Sequence, residues 1–400
     1  MEFDTRWGRR FKSCLPDHLP PRRSSRKPEF RGVFIAANRP DGVFAKHGSI
    51  VGHRGHAVSQ GLPPPGLAPV LPAGLASARY SLMPKPLMCP PELLSLDLAG
   101  RTYIVTGGNS GIGLVTVGQL ARQGARVVLA CRRPAEGERA AAQILAGGVR
   151  GSIEVSALDL SSLDSVRSFA RSFLSTNAAL HGLVNNAGVM NTPKGKTTDG
   201  FETQLGTNHL GHYLLTELLL PALKRGSPSR VVNLSSCYHD VAMGRKGRID
   251  FDDLHFEKRK YDGWEAYAQS KLANVLHAKQ LSRRLAGTGI TFVSVHPGWV
   301  RTRLVRSSMP VWAQDYLLRP FLRMAGMIEP WEGAQTTLFA LLSPEVPAHG
   351  GAYFSQLGLY RDKAANKGGW PLRSPNPQAQ DDAIAERLDV VSRKLVGLDA

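Results

Sequence analysis

TYIVTGGNSGIG, residues 102–113, is a β-branched run ending in glycines, and the stretch behind it, IGLVTVGQLARQGA, is apolar at helical spacing as far as Gly124. The order is strand, turn, helix. Gly107, Gly111 and Gly113 stand where the strand passes into the helix. A backbone without Cβ atoms can approach a pyrophosphate there, and the helix N-terminus offers unbonded N–H groups and a favourable dipole. The spacing is G-x-x-x-G-x-G rather than G-x-G-x-x-G, and a tight βα loop without a ligand would look the same.

Outward from this turn, strands and helices alternate. RVVLAC (126–131), SIEVSALDL (152–160), GLVNNAG (182–188), SRVVNLSS (229–236) and ITFVSVHPG (290–298) read as strands with their turns, and GAYF (351–354) as a short last one. Helical spacing fills the intervals, the longest helix running from about Trp264 to Leu285. Repeated βα units demand right-handed crossovers and a parallel sheet covered on both faces, so the expectation is α/β: a doubly wound parallel sheet of about seven strands in a single domain.

The chain has 400 residues, 42% hydrophobic and 20% charged, which excludes a wholly disordered or multispan membrane protein. Its net charge of +18 is unevenly spread: residues 1–82 hold 13 Lys and Arg against 5 Asp and Glu. The same region contains PDHLPPRRSSRKP and GLPPPGLAPVLPAG, too rich in proline for helices or central strands. Residues 1–90 therefore read as a basic, disordered extension and 91–400 as the folded domain with its cover and tail segments. An Arg-rich leader fits an organelle transit peptide, but Glu2, Asp4 and Asp17 sit where such leaders avoid acids; a start of translation at Met83 is the plainer account. The expected compartment is the cytoplasm or a membrane surface, or an organelle if residues 1–82 form a transit peptide. The four cysteines are far apart, and His209 and His212 have no third ligand spaced with them, so no metal site is expected. The basic leader has no aromatic interleaving, and no nucleic-acid partner is expected.

The glycine spacing, NNAG at 185–188, the set Ser236, Tyr267 and Lys271, and PG at 297–298 together resemble the short-chain dehydrogenase/reductase family over roughly residues 98–355. DGFETQLGTNHLGHYLLTELLLPALK, YAQSKLANVLHAKQL and SVHPGWVRTRL are similar to its retinol dehydrogenase-like branch. The resemblance implies a Rossmann fold, a nicotinamide cofactor, and an enzyme that moves a hydride between a carbonyl compound and its alcohol.

The residues support that chemistry independently. Tyr267 and Lys271 are four positions apart in a helical pattern and share one face. A tyrosine titrating near ~10 needs a neighbouring positive charge to act as a neutral-pH acid or base, and Lys271 can supply it. An exposed helix face is the bland reading of Tyr-x-x-x-Lys alone. Ser236 ends the fifth strand at the carboxyl edge, where its hydroxyl could bond a substrate oxygen; Ser235 alternates toward the packed side. The resemblance adds Asn208 to the centre and gives Lys271 a second contact, with the nicotinamide ribose. It implies cofactor contacts from Gly107, Asn109, Ser110, Gly111, Ile112 and Gly113 of the turn. It adds Asp159 and Leu160 at the adenine, Asn186 and Gly188 under the adenine ribose, and Pro297, Gly298 and Thr302 at the carboxamide.

The second strand ends at Cys131 and runs into Arg132 and Arg133 with no carboxylate of its own. A 2′-phosphate needs cations at that point, so NADP(H) is the expected cofactor and Arg132 its reader. Residues 304–331 interleave Leu304, Trp312 and Phe321 with Arg306, Arg319 and Arg323. They suit a cover over a lipophilic substrate, a peripheral membrane contact, or a packing surface between copies in a homo-oligomer. The charged stretch GRKGRIDFDDLHFEKRKYDG (244–263) reads as a solvated loop. Two other readings stay open: a light-dependent protochlorophyllide reductase-like enzyme, against which PGWV lacks the cysteine of PGC, and a non-catalytic NADP(H)-sensing or scaffold protein.

Overall fold

The computed structural model describes residues 86–301, 326–356 and 369–398, so the extension up to residue 85, Thr302 and most of the 304–331 segment lie outside the described residues. Strands β1 (Thr102–Thr106), β2 (Arg126–Cys131), β3 (Ser152–Ala157), β4 (Gly182–Asn185) and β5 (Ser229–Leu234) are followed by the two-residue β6 (Val241–Ala242) and β7 (Arg245–Lys246), then β8 (Ile290–His296), β9 (Tyr353–Ser355) and β10 (Gly369–Leu372). Eight of them form one sheet in the order β10-β9-β8-β5-β4-β1-β2-β3; β6 and β7 pair separately.

All neighbours from β3 to β9 are parallel. The sheet is the expected doubly wound parallel one, and β10, antiparallel to β9, adds an eighth strand at its edge. GWPL hides an edge strand because Pro371 cannot donate to a ladder, and only an edge tolerates it.

The short α1 (Pro91–Leu94) precedes β1, and α2 (Gly111–Arg122), α3 (Pro134–Ala146) and α4 (Leu163–Thr176) are the crossovers that follow it. On one face of the sheet Val117 and Leu120 of α2 pack with Leu338 and Phe339 of a later helix, Pro330–Leu342. On the other, Phe169 of α4 packs with Leu214 and Leu219 of α6, where α5 (Thr203–Leu205), a π turn (Gly206–Leu210) and α6 (Gly211–Arg225) form one continuous rod. With both faces covered, β1, β2 and β4 are buried almost residue for residue, which is why residues 103–105, 127–131 and 183–184 are apolar without alternation.

The helix α7 (Gly263–Arg284) starts where Asp262 Oδ1 accepts the N–H groups of Trp264 and Glu265 at 2.9 and 3.2 Å. The chain continues through α8 (Pro330–Leu342), α9 (Pro377–Gln380) and α10 (Asp382–Leu395). β1 lies between β2 and β4, so the chain leaves it in opposite directions and opens a crevice at the carboxyl ends of β1 and β4. Among the described residues no helix is long and apolar enough to cross a membrane.

Just before α1, Leu87 exchanges two hydrogen bonds of 2.7 Å with the side chain of Gln356, and the Cys89 N–H donates to Gln335 Oε1. The charged 244–263 stretch is more than a solvated loop. Asp253 accepts the N–H groups of Glu257, Lys258 and Arg259, and the Arg259 guanidinium lies 3.8 Å over the Phe256 ring while pairing with Asp250.

Candidate functional site

Gly107 takes φ +64° in the turn after β1, a conformation that a side chain disfavours. At Gly113 the constraint is space. A Cβ there would stand 2.6 Å from both the Gly107 carbonyl oxygen and Asn186 Nδ2. Gly111 and Ile112 open α2, whose preceding residue Ser110 places no side-chain cap and whose first turn holds no acid. Those N–H groups and bare backbone fit an anionic pyrophosphate.

Asn186 turns out to face the protein: its Nδ2 donates to the Thr106 carbonyl at 2.7 Å and its own N–H to Thr106 Oγ1 at 2.9 Å, so its amide holds the glycine turn in place. Asp159 lies beyond β3, and its Oδ1 accepts from the N–H and hydroxyl of Ser161. Leu160 is buried, its carbonyl so close to the start of α6 that a Cβ on Gly211 would stand 2.4 Å away.

Arg132 is exposed just past β2. The sequence offered no carboxylate at that corner, yet the fold brings one. Glu136, one turn into α3, pairs with Arg133 Nε at 3.0 Å and accepts from Asn109 Nδ2 at 3.2 Å. A helical turn rather than strand adjacency delivers it, and the i,i+3 spacing from Arg133 was the available signal.

At the other end of the crevice, Tyr267 and Lys271 sit one turn apart on α7, both buried, with the Lys271 Nζ 5.6 Å from the centre of the Tyr267 ring. Nζ donates to the Leu234 carbonyl at 3.0 Å. Burial lowers the Lys271 ammonium to about 8 and pushes the Tyr267 phenol well up, the latter opposed by its hydrogen bond with Ser236. The Ser236 hydroxyl also accepts the Tyr238 N–H at 3.2 Å, which fixes its direction at the end of β5. Ser235 points inward, its hydroxyl donating to the Lys271 carbonyl at 2.8 Å.

Asn208 is fully buried in the π turn. Its Nδ2 donates to Val189 O and to Ser270 Oγ at 2.9 Å each, and its Oδ1 accepts the Val189 N–H at 2.8 Å. A Cβ on Gly188 would reach 3.0 Å from Asn208 Oδ1 and 3.5 Å from Lys271 Nζ, so this glycine leaves room beside both. Pro297 and Gly298 follow β8, Gly298 with φ +91° and its N–H 3.1 Å from His296 Nε2. The structure thus brings Ser236, Tyr267, Lys271 and Asn208 together at one end of the crevice and the glycine turn with Arg132 at the other; Thr302 is outside the described residues.

Several residues at the centre escaped the sequence reading. Tyr238 lies edge-on to Tyr267, with ring centres 6.2 Å apart, and to Trp264 at 5.5 Å, walling the approach to the phenol. Gln204 joins the loop after β4 to the start of α7: its Oε1 accepts the Asn191 N–H and its Nε2 donates to the Gly263 carbonyl, both at 2.8 Å. Neither carries a spacing signal, because each acts across elements distant in sequence.

A crevice at the switch point of a doubly wound sheet, with a buried Tyr–Lys pair beside a bare glycine turn, defines a dinucleotide-binding oxidoreductase. The family model for short chain dehydrogenase matches residues 101–248. The chain belongs to the short-chain dehydrogenase family, in its retinol dehydrogenase-like branch. It is 45% identical over 303 residues to retinol dehydrogenase 12 of Bos taurus, which covers 76% of this chain and 88% of that protein. Over 306 residues it is 42% identical to human retinol dehydrogenase 13, covering 76% and 86% of the two chains. Among solved structures, an uncharacterized protein from Mycobacterium paratuberculosis is 36% identical with a TM-score of 0.58, over 76% of this chain and 95% of that one. The Pseudomonas aeruginosa RhlG/NADP active-site complex is 25% identical with a TM-score of 0.53, over 65% and 96%.

Proposed function

We propose that the protein is an NADP(H)-dependent oxidoreductase that interconverts a hydrophobic carbonyl compound, retinal-like, aldehyde or ketone, and its alcohol. The observation that carries the reading is the convergence of the Ser236 hydroxyl and the buried Tyr267–Lys271 pair at the carboxyl ends of the strands. The hydride for reduction would come from a nicotinamide dinucleotide held in the crevice. Tyr267 gives its phenolic proton to the substrate oxygen while Ser236 donates a hydrogen bond to that oxygen and holds it in line. The Lys271 ammonium favours the phenolate left behind, and Asn208 keeps the Val189 loop and Ser270 in place around it.

The glycine turn and the open first turn of α2 would hold the pyrophosphate, Gly188 would leave room for a ribose beside Lys271, and Arg132 would read the 2′-phosphate. The retinol dehydrogenases among its relatives support a lipophilic substrate. Purified protein is to be assayed with NADPH and with NADH against retinal, medium-chain aldehydes and ketosteroids. NADPH should give the faster turnover of at least one of them. Equal efficiency with the two cofactors would overturn the NADP assignment, and no turnover with either would overturn the substrate class.

A further inference from the structure

Thr106, the last residue of β1, has one hydroxyl and several partners. Its Oγ1 accepts the N–H groups of Asn186 and Ala187, both at 2.9 Å, and lies 2.9 Å from His212 Nε2 and 3.3 Å from the Val184 carbonyl oxygen. A hydroxyl has two lone pairs and one proton. The two N–H groups take the lone pairs, so the proton goes to the nearer acceptor, His212 Nε2. On the other side of the ring, Nδ1 is 3.0 Å from the Asn208 carbonyl oxygen, which can only accept. The ring hydrogen therefore sits on Nδ1, and one tautomer of a neutral imidazole satisfies every partner. Burial agrees, lowering this histidine to about 3.

The hydrogen bonds continue in both directions. Asn208 Nδ2 donates to Ser270 Oγ, which donates to the Tyr267 carbonyl at 2.8 Å. The geometry assigns His212 as a positioning residue that ties the cofactor turn, through Thr106, to the Asn208–Ser270–Tyr267 side of the centre. This rests on reading that turn as the dinucleotide seat.

Two replacements divide the ring's roles. In His212→Asn an amide nitrogen can still donate to the Asn208 carbonyl but cannot reach Thr106; in His212→Gln the longer amide can accept from Thr106 instead. The loss of one buried hydrogen bond corresponds to about 3- to 10-fold. His212→Asn should thus raise the NADPH Kd, measured by fluorescence titration, by that factor with a smaller change in kcat, and His212→Gln should do the reverse. Thr106→Val should also weaken NADPH binding and should add almost nothing in the His212→Asn background, both in Kd and in Tm.

Asn and Gln variants that move Kd and kcat alike, or effects of Thr106→Val and His212→Asn that simply add, would overturn the assignment. In ¹⁵N-histidine-labelled wild-type protein at neutral pH, His212 should show the Nδ1–H tautomer; an Nε2–H tautomer overturns it whatever the variants do. If wild-type protein binds neither NADPH nor NADH, the reading of the turn has failed. The tautomer and the Tm cycle then decide the His212 link by themselves.

Discussion

Tyr267 and Lys271 are each driven by burial toward their neutral forms, the phenol up and the ammonium down to about 8, so at physiological pH the phenol holds a proton that it can give to a substrate oxygen. Tyr267→Phe keeps the ring against Tyr238 and removes only that proton. It should lower kcat by about 10²- to 10⁴-fold with little change in NADPH affinity. Retention of more than a tenth of the wild-type kcat would place the proton donor elsewhere. At the far end of the crevice, Arg133 is engaged by Glu136 while Arg132 stands exposed. Arg132→Ala should therefore weaken NADPH by about 10- to 150-fold, the usual range for a charge-assisted contact, and leave NADH almost untouched in parallel titrations. Cys131→Asp should shift preference toward NADH. A ratio unchanged by Arg132→Ala would transfer the role to another cation.

Helix α10 shows what an element adds. Asp381 Oδ1 caps it by accepting the N–H groups of Ala383 and Ile384, and Leu388 lies 3% exposed in a cluster with Val275 and Leu276 of helix α7. Asp389 accepts from the Tyr213 hydroxyl at 2.7 Å and pairs with Arg284 at 2.9 Å, so α10 binds α6 and α7 together. Leu388→Ala should cost about 2–4 kcal/mol in urea unfolding, whereas Val390→Ala, at a position 62% exposed, should stay within about 0.5 kcal/mol. Equal effects would mean that α10 is not docked by this face. The sequence made the crossover helices and inner strands legible because each carries its own period, and the Tyr-x-x-x-Lys face was readable for the same reason. It did not reveal the π turn around Asn208, the approach of Glu136 to Asn109, or the inward use of the Asn186 amide. Those depend on contacts between elements, and no local period encodes them.

At the scale of the molecule, five buried histidines among the described residues are held neutral by desolvation: His209 and His239 at about 4, His212 and His296 at about 3, and His277 well below its usual value. In the unfolded chain each takes up a proton near pH 6.5, so below that point the unfolded state binds more protons than the native one. Stability should be constant in these groups above about pH 7 and should fall as pH drops from about 6.5 toward 4, each histidine contributing a slope of up to about 1.4 kcal/mol per pH unit. Urea midpoints recorded between pH 8 and 4.5 measure this directly. A midpoint flat down to pH 5 would show that the rings are protonated in the native state.

The two margins of the main sheet bear on how the protein behaves in a crowded solution. β10 carries Pro371, whose nitrogen has nothing to donate, and beside it the Trp370 ring stacks on Phe339 at 4.5 Å. β3, at the opposite margin, carries Glu154 bound to Arg126 at 2.7 Å. Proline and charge at sheet borders are the features that keep a stranger's strand from joining the ladder. A native molecule therefore makes a poor template for intermolecular β-structure, and fibrillar growth would have to begin from chains that have already lost one of these borders.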